Sequence, residues 1–385
     1  MEKLVSARSL STGLAMFSMF FGAGNIIFPL AVGQFAGDKN LFAILGLILT
    51  AAIIPIVGVI AMILFDGNYK QFFGRLGNVP GFILALTIIT LLGPLGSTPR
   101  CIALSYTTLK GVLAISPIAF SAISCGIIFL FSVRKNYILS LLGWVLTPAL
   151  LFSLIAIIAI GLTTSPDVND VDRTKWNIFL YGLKEGYNTM DLLAAFFFSS
   201  TILNILRMRE HKTEMIDRQY LRTAFQASLI GAFLLASIYL GFSYIAAFHG
   251  GDLNFSGKDE LLAAITMKIA GPAAGTLVCI TIALACLTTA IALISAFADF
   301  FQKEVMKEKI SYELTLIFSL LLTFFVSTFE FSGISAFLGP ILQICYPGLI
   351  VLTLLNIFHR MKNIQPIKTP VFLVFGLSAI WYFVH

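Results

Sequence analysis

The chain has 385 residues, 58% of them hydrophobic and 11% charged, with a formal net charge of +6. Soluble domains average about 45–50% apolar and about 25% charged residues. A soluble multidomain protein of this length is therefore excluded, because too few polar residues exist to cover its surface, and the composition is that of an integral membrane protein.

A bilayer-crossing helix needs about 20 mostly apolar residues. That criterion predicts helices at 10–34, 40–65, 81–109, 113–133 and 137–162, then at 178–206, 222–248, 272–301, 311–329, 333–358 and 369–385. The result is an all-α membrane protein with about eleven spans. The runs are continuous and lack the apolar–polar alternation of membrane strands. Lys3 and Arg8 precede the first run, but that run continues past Pro29, so it reads as a span and not as a cleaved signal peptide.

With the N-terminus cytoplasmic, most of the 25 Lys and Arg residues fall on inner segments, among them Lys70, Arg75, Arg134, Lys135, Arg207 and Arg209. The positive-inside rule thus accounts for the net charge and leaves no need for a nucleic-acid partner. The longest outer loop, 163–177, carries Asp167, Asp170 and Asp172. The longest inner one, 207–222, is of mixed charge and predicts a short surface helix held at anionic lipid headgroups. Residues 258–270, ahead of Gly271-Pro272, are amphipathic and predict an outer re-entrant or surface helix. Cys101, Cys125, Cys279, Cys286 and Cys345 lie in apolar stretches without a C-x-x-C pair and read as small hydrophobes. His211, His249, His359 and His385 sit at helix ends or loops, and neither H-E-x-x-H nor a Ser/His/Asp constellation occurs within a span, which argues against an enzyme.

Several spans carry residues that interrupt helices. The first has Gly22-Ala23-Gly24-Asn25 at its middle. Unwinding there would free the amides of an outer half-helix, whose positive end favours an anion such as a carboxylate; close packing through small residues is the alternative. The third holds Gly93-Pro94-Leu95-Gly96-Ser97-Thr98-Pro99-Arg100, which predicts a kink. Arg100 either snorkels to the outer interface or forms an ion pair or gate. The long sixth span contains Gly186-Tyr187-Asn188-Thr189-Met190-Asp191, where a second break is expected if two five-helix units repeat. Ser199-Ser200-Thr201 is the alternative position for it. Asp191, an acid well inside a span, either contacts a cation or ammonium or serves as a structural cap. In the eighth span, Ala285-Cys286-Leu287-Thr288-Thr289 places two adjacent hydroxyls in an apolar helix. They supply hard oxygens for a sodium ion, or they simply bond back to the preceding turn.

Together the segments FGAGNIIFP (21–29), GPLGSTPR (93–100), GYNTMD (186–191), ACLTTAIALISAFADFF (285–301) and CYP (345–347) resemble the branched-chain amino acid:cation symporter family, the BrnQ-type or LIVCS carriers. The resemblance covers nearly the whole chain. It implies a LeuT-like fold of two inverted five-helix repeats with broken first and sixth helices and the substrate at midplane. Mapped here, one transport domain spans 1–385, with repeats at 10–162 and 178–358 and an extra C-terminal helix at 369–385. The resemblance further implies that Gly22, Ala23, Gly24 and Asn25 receive a substrate carboxylate, and that Asn188, Thr189 and Asp191 receive its ammonium. Ala285, Thr288 and Thr289, with Ser18 and Phe21, would hold the cation. The implied activity is uptake of leucine, isoleucine or valine with Na+, or with H+, and no cofactor, across a bacterial inner membrane. Alternatives are transport or exchange of other neutral amino acids, a channel, or a sensor of the same fold. Against the twelve helices usual in that family, eleven are expected here.

Overall fold

The computed structural model describes residues 7–133, 138–164, 168, 170–208, 218–251, 253, 257–362 and 365–384. Among these, every regular element is a helix. Helices are the expected answer for an open chain in lipid, since each satisfies its own backbone groups without water.

In chain order, α1 (Ala7–Phe20) and α2 (Ala23–Ala36) together make the first apolar run. Next come α3 (Asn40–Ile48), a π turn (Leu49–Ile53) and α4 (Ile54–Ile63). Pro55 explains the π turn, because its ring excludes the normal bond to the carbonyl four residues back and the backbone there widens by one residue. The short α5 (Tyr69–Gly74) is capped by Asn68, whose side chain accepts the Gln71 N–H at 3.1 Å. It leads to α6 (Asn78–Leu92) and α7 (Ser97–Leu109), then α8 (Pro117–Val133) and α9 (Ile138–Thr163).

The second half runs through α10 (Lys175–Asn188), α11 (Asp191–Met208), α12 (Arg218–His249), α13 (Glu260–Phe300), α14 (Tyr312–Ser327), α15 (Glu330–Lys362) and α16 (Lys368–Val384). Within α13, Gly271 takes φ 75°, so residues 260–270 form a separate helix before Pro272 opens the span. This is the segment expected as an outer re-entrant or surface helix. It presents Leu261, Leu262, Ile265 and Thr266 to the interior and is seated on the bundle. The predicted surface helix of the 207–222 segment falls largely on 209–217, outside the described residues, as do Lys3, Arg134, Lys135 and Asp167.

The third run departs from the expected kink. The chain leaves the helix altogether over 93–96 and starts again at Ser97. Pro99 then lies in the first turn of α7, where its missing N–H costs nothing because first-turn donors have no intrahelical acceptor.

Close packing around both broken runs depends on glycines. A Cβ on Gly182 would lie 1.9 Å from the Ala43 carbonyl oxygen, and one on Gly33 would lie 1.8 Å from that of Ser243. Small residues let α10 approach α3 and α2 approach α12 backbone to backbone, the usual means of helix association in lipid. The core so formed includes fully buried Phe17, Phe28, Phe196, Tyr239, Phe242 and Tyr346, whereas Phe152, Phe233 and Phe383 face outward as lipid-facing rings do.

Candidate functional site

The site begins with two interruptions of helix. In the first run α1 ends at Phe20, Phe21 and Gly22 lie outside regular helix, and Gly22 is extended with φ −126°. The side-chain oxygen of Asn25 accepts the Gly22 N–H at 3.0 Å and so fixes the start of α2. In the sixth run the break falls at Thr189 and Met190, inside the expected Gly186–Asp191 window. The alternative at Ser199–Thr201 lies within continuous α11. Met190 takes φ +65°, a strained value for a residue with a side chain, and Thr189 Oγ1 donates back to the Gly186 carbonyl at 2.9 Å. The breaks touch: a Cβ on Gly24 would lie 3.1 Å from Thr189 Cα.

Asp191 opens α11 and is 2% exposed. Its Oδ2 accepts from Asn25 Nδ2 at 2.7 Å and from the Tyr239 hydroxyl at 2.9 Å. Asn25 Nδ2 also contacts the Tyr239 hydroxyl. The carboxylate gains further from its place at a helix N-terminus. The side chain of Asn25 is thus engaged on both its oxygen and its nitrogen, and it acts here as the link between the two breaks. Tyr239, from the middle of α12, is a member of this cluster that sequence reasoning missed. The only available signal was a phenol in an apolar span, which needs a partner when buried.

A second cluster lies where α13 meets the first break. Thr289 Oγ1 reaches both the Phe21 and the Ala285 carbonyls at 3.1 Å, and Thr288 Oγ1 donates to the Ala285 carbonyl at 2.8 Å. A Cβ on Gly22 would lie 3.3 Å from Thr289 Cγ2, so the break and the hydroxyl helix are in direct apposition. Ser18, a turn before Phe21 on α1, is half-buried. The groups brought together at Phe21, Ala285, Thr288 and Thr289 are oxygens without formal charge. This donor set suits a hard cation and not a soft transition metal.

Arg100, in the first turn of α7, is 2% exposed, so the snorkelling alternative does not hold. Its Nη1 donates to the Asn188 carbonyl at 2.8 Å, capping the C-terminus of α10 with a positive charge. The guanidinium carbon sits 5.4 Å from the centroid of Phe28 and 5.6 Å from that of Phe331, within cation–π range. Beyond Asn188, whose Nδ2 donates to Glu185 Oε2 at 3.2 Å, Lys258 pairs with Glu185 Oε1 at 2.6 Å.

Between the breaks lies a small cavity whose lining includes Gly22, Asn25, Arg100, Thr189, Asp191 and Thr289. The cavity brings together the two breaks, one buried acid, one buried base and a threonine of the oxygen cluster.

Known proteins resemble this chain along most of its length. In curated relatives, identity is 30% to the branched-chain amino acid permease BrnQ of Corynebacterium glutamicum, over 91% of this chain and 80% of that one. It is 29% to BrnQ of Salmonella typhimurium, over 98% and 87%. Among solved structures, inward-facing Mhp1 superposes with a TM-score of 0.63 at 11% identity, covering 92% of this chain and 77% of that one. A substrate-bound, outward-open Na+-coupled sialic acid symporter superposes with a TM-score of 0.61 at 9% identity, covering 97% and 88%. These likenesses identify the fold as LeuT-like, with first and sixth helices broken as the sequence implied. The family described as branched-chain amino acid transport protein matches residues 5–385. The chain belongs to that family, as a multi-pass membrane transport protein and not an enzyme.

Proposed function

We propose that this protein takes up branched-chain, aliphatic amino acids by symport with a cation, Na+ in preference to H+. The observation that carries the reading is the Thr289 hydroxyl, which reaches the Phe21 carbonyl at one helix break and the Ala285 carbonyl of its own helix. A cation held by Phe21, Ala285, Thr288 and Thr289, with Ser18 nearby, ties the first span to the eighth. The zwitterionic substrate occupies the cavity, its carboxylate toward the N-terminal end of α2 at Gly22, Ala23 and Gly24, and its ammonium toward Asp191 and the chain at Thr189, since the Asn188 carbonyl already accepts from Arg100. In that role Asn25 acts by orienting Asp191, since its own side chain is already engaged.

Coupling requires that cation and substrate bind one conformation better than the other, because a ligand with equal affinity for both states shifts nothing. A cation bridging α13 to the first break favours the state in which those two elements are close. Its loss to a compartment poor in sodium loosens the bridge and releases the amino acid. The distribution of Lys and Arg supports a cytoplasmic N-terminus in a bacterial inner membrane. Proton coupling is the rival, favoured by one observation: Asp191 is a buried acid whose described partners are an amide and two hydroxyl groups.

The test is uptake of radiolabelled isoleucine into proteoliposomes under imposed gradients. Concentrative uptake under an inward sodium gradient is expected, and uptake driven by a proton gradient alone would transfer the coupling role to Asp191. Uptake that never exceeds equilibrium under either gradient would sink symport.

A further inference from the structure

We infer that Arg100 is the substrate's carboxylate clamp, acting with the N-terminal end of α2 as the anionic subsite of the cavity. The inference rests on the amino-acid reading above and adds to it the residue that selects for a carboxylate.

Arg100 is buried, and its Nη1 is committed to the Asn188 carbonyl. Its other two nitrogens, Nε and Nη2, are buried and meet no hydrogen-bond acceptor. These two lie on the same edge of the guanidinium plane, so their N–H bonds run parallel at the spacing of two carboxylate oxygens. A carboxylate is the group that such an edge accepts in a bidentate way. Leaving buried donors of a charged group unmade is expensive, and an aromatic face on the cation offsets only part of that cost. Phe28 and Phe331 supply such faces and also hold the plane in place.

Position in the cavity gives the second line. Arg100 lines it together with Gly22, Ala23 and Gly24, whose helix begins there. The Gly22 N–H is taken by Asn25 Oδ1 and the Asn25 N–H by the Gly22 carbonyl, so what α2 adds for a carboxylate is the positive end of its helix beside the open edge of Arg100. The one acidic side chain lining the cavity, Asp191, is already held by Asn25 and Tyr239, and its own charge suits the ammonium end of the ligand. The cavity is therefore dipolar, with Arg100 and α2 offering donors and Asp191 offering an acceptor. That charge pattern matches a zwitterionic α-amino acid. An amine without a carboxylate leaves the Arg100 edge unmade.

The experiment compares binding of leucine and leucinamide to purified wild-type protein, Arg100→Gln and Arg100→Lys. Leucinamide keeps the ammonium and side chain but replaces the carboxylate with a neutral amide. The wild type is expected to prefer leucine by at least about 10-fold, the scale of a charge-assisted hydrogen bond. In Arg100→Gln leucine affinity should fall to the level of leucinamide, with leucinamide itself nearly unchanged. Arg100→Lys keeps the charge without the two-toothed edge and should lie between. If Arg100 only caps α10, either variant will weaken both ligands equally or retain the full preference for leucine, and the clamp is overturned. Should Arg100→Gln fail to fold, the same comparison in Arg100→Lys decides. A wild type that binds no branched-chain amino acid refutes the functional reading and the clamp together. A wild type that binds leucine while the variants keep its preference refutes the clamp alone.

Discussion

The break in the first span and the break in the sixth meet at Gly24 and Thr189 but are built from different materials. The first is made of glycine and carbonyl groups and faces the hydroxyl of Thr289, beside Thr288, with no formal charge in that oxygen cluster. The second holds a strained, non-glycine Met190 between two full charges: Arg100 on the last carbonyl of α10 and Asp191 in the first turn of α11. Each charge has the sign its helix end favours. The difference teaches that the sixth break carries fixed compensation for its freed backbone ends. At the first break neutral groups do this, Asn25 Oδ1 for the Gly22 N–H and the Thr289 hydroxyl for the Phe21 carbonyl, and the proposed cation would act there most.

The sharpest way to break that contrast is to remove the fixed charge. Asp191→Asn keeps the shape but loses the carboxylate that Asn25 and Tyr239 both address. Hydrogen bonds to charged groups contribute about 1.5–3 kcal/mol each. Initial uptake of isoleucine should therefore fall by about 100-fold, with the protein still folded by thermal melting. Near-normal uptake by Asp191→Asn would mean that the sixth break needs no charge, and the contrast would collapse.

A smaller effect is expected at the first break. Thr288→Ala combined with Thr289→Ala removes two neutral oxygens while leaving the Phe21 and Ala285 carbonyls in place. Each neutral contact is worth about 1 kcal/mol, so the sodium concentration for half-maximal uptake should rise about tenfold or more, with little change in maximal rate. Unchanged sodium dependence would remove the cation from this cluster and leave the hydroxyls as ordinary back-bonded threonines.

The two breaks were also unequally legible in the sequence. Gly22–Asn25 marked a candidate for the first, although the same residues suit close helix packing, and the Thr288–Thr289 pair was joined to it only through the family resemblance. The Gly186–Asp191 window contained the second, but Met190 as its hinge was unreadable, since methionine is a good helix former and its positive φ is imposed by tertiary context. Tyr239 lies 48 residues from Asp191, and no spacing rule joins positions on separate helices. Arg100 was ambiguous for a geometric reason. Counted along a straight helix it stands nine residues, or about 13 Å, before Leu109 at the span's end. Helix geometry alone cannot say whether a side chain at that depth reaches water. The excursion at 93–96 and the rings of Phe28 and Phe331 bury it.

The smallest expected effect concerns how far the charged character of the sixth break extends. Lys258 and Glu185 pair at 2.6 Å, and Glu185 leads through Asn188 toward Arg100, but the Lys258 side chain is 44% exposed while that of Glu185 is 8% exposed. A partly exposed pair gains little, about 1 kcal/mol or less, because water already solvates one partner. Removing the lysine alone is worse, since it leaves the buried carboxylate with the neutral Asn188 amide and Tyr181 hydroxyl in place of a paired cation. Thermal melting of Lys258→Ala, Glu185→Gln and the double variant should therefore show the double variant at least as stable as Lys258→Ala. A coupling of about 1 kcal/mol or less would confine the charge compensation to Arg100 and Asp191. A coupling above about 2 kcal/mol would carry it out to Lys258, making the sixth break one end of a charge chain rather than a self-contained pair of caps.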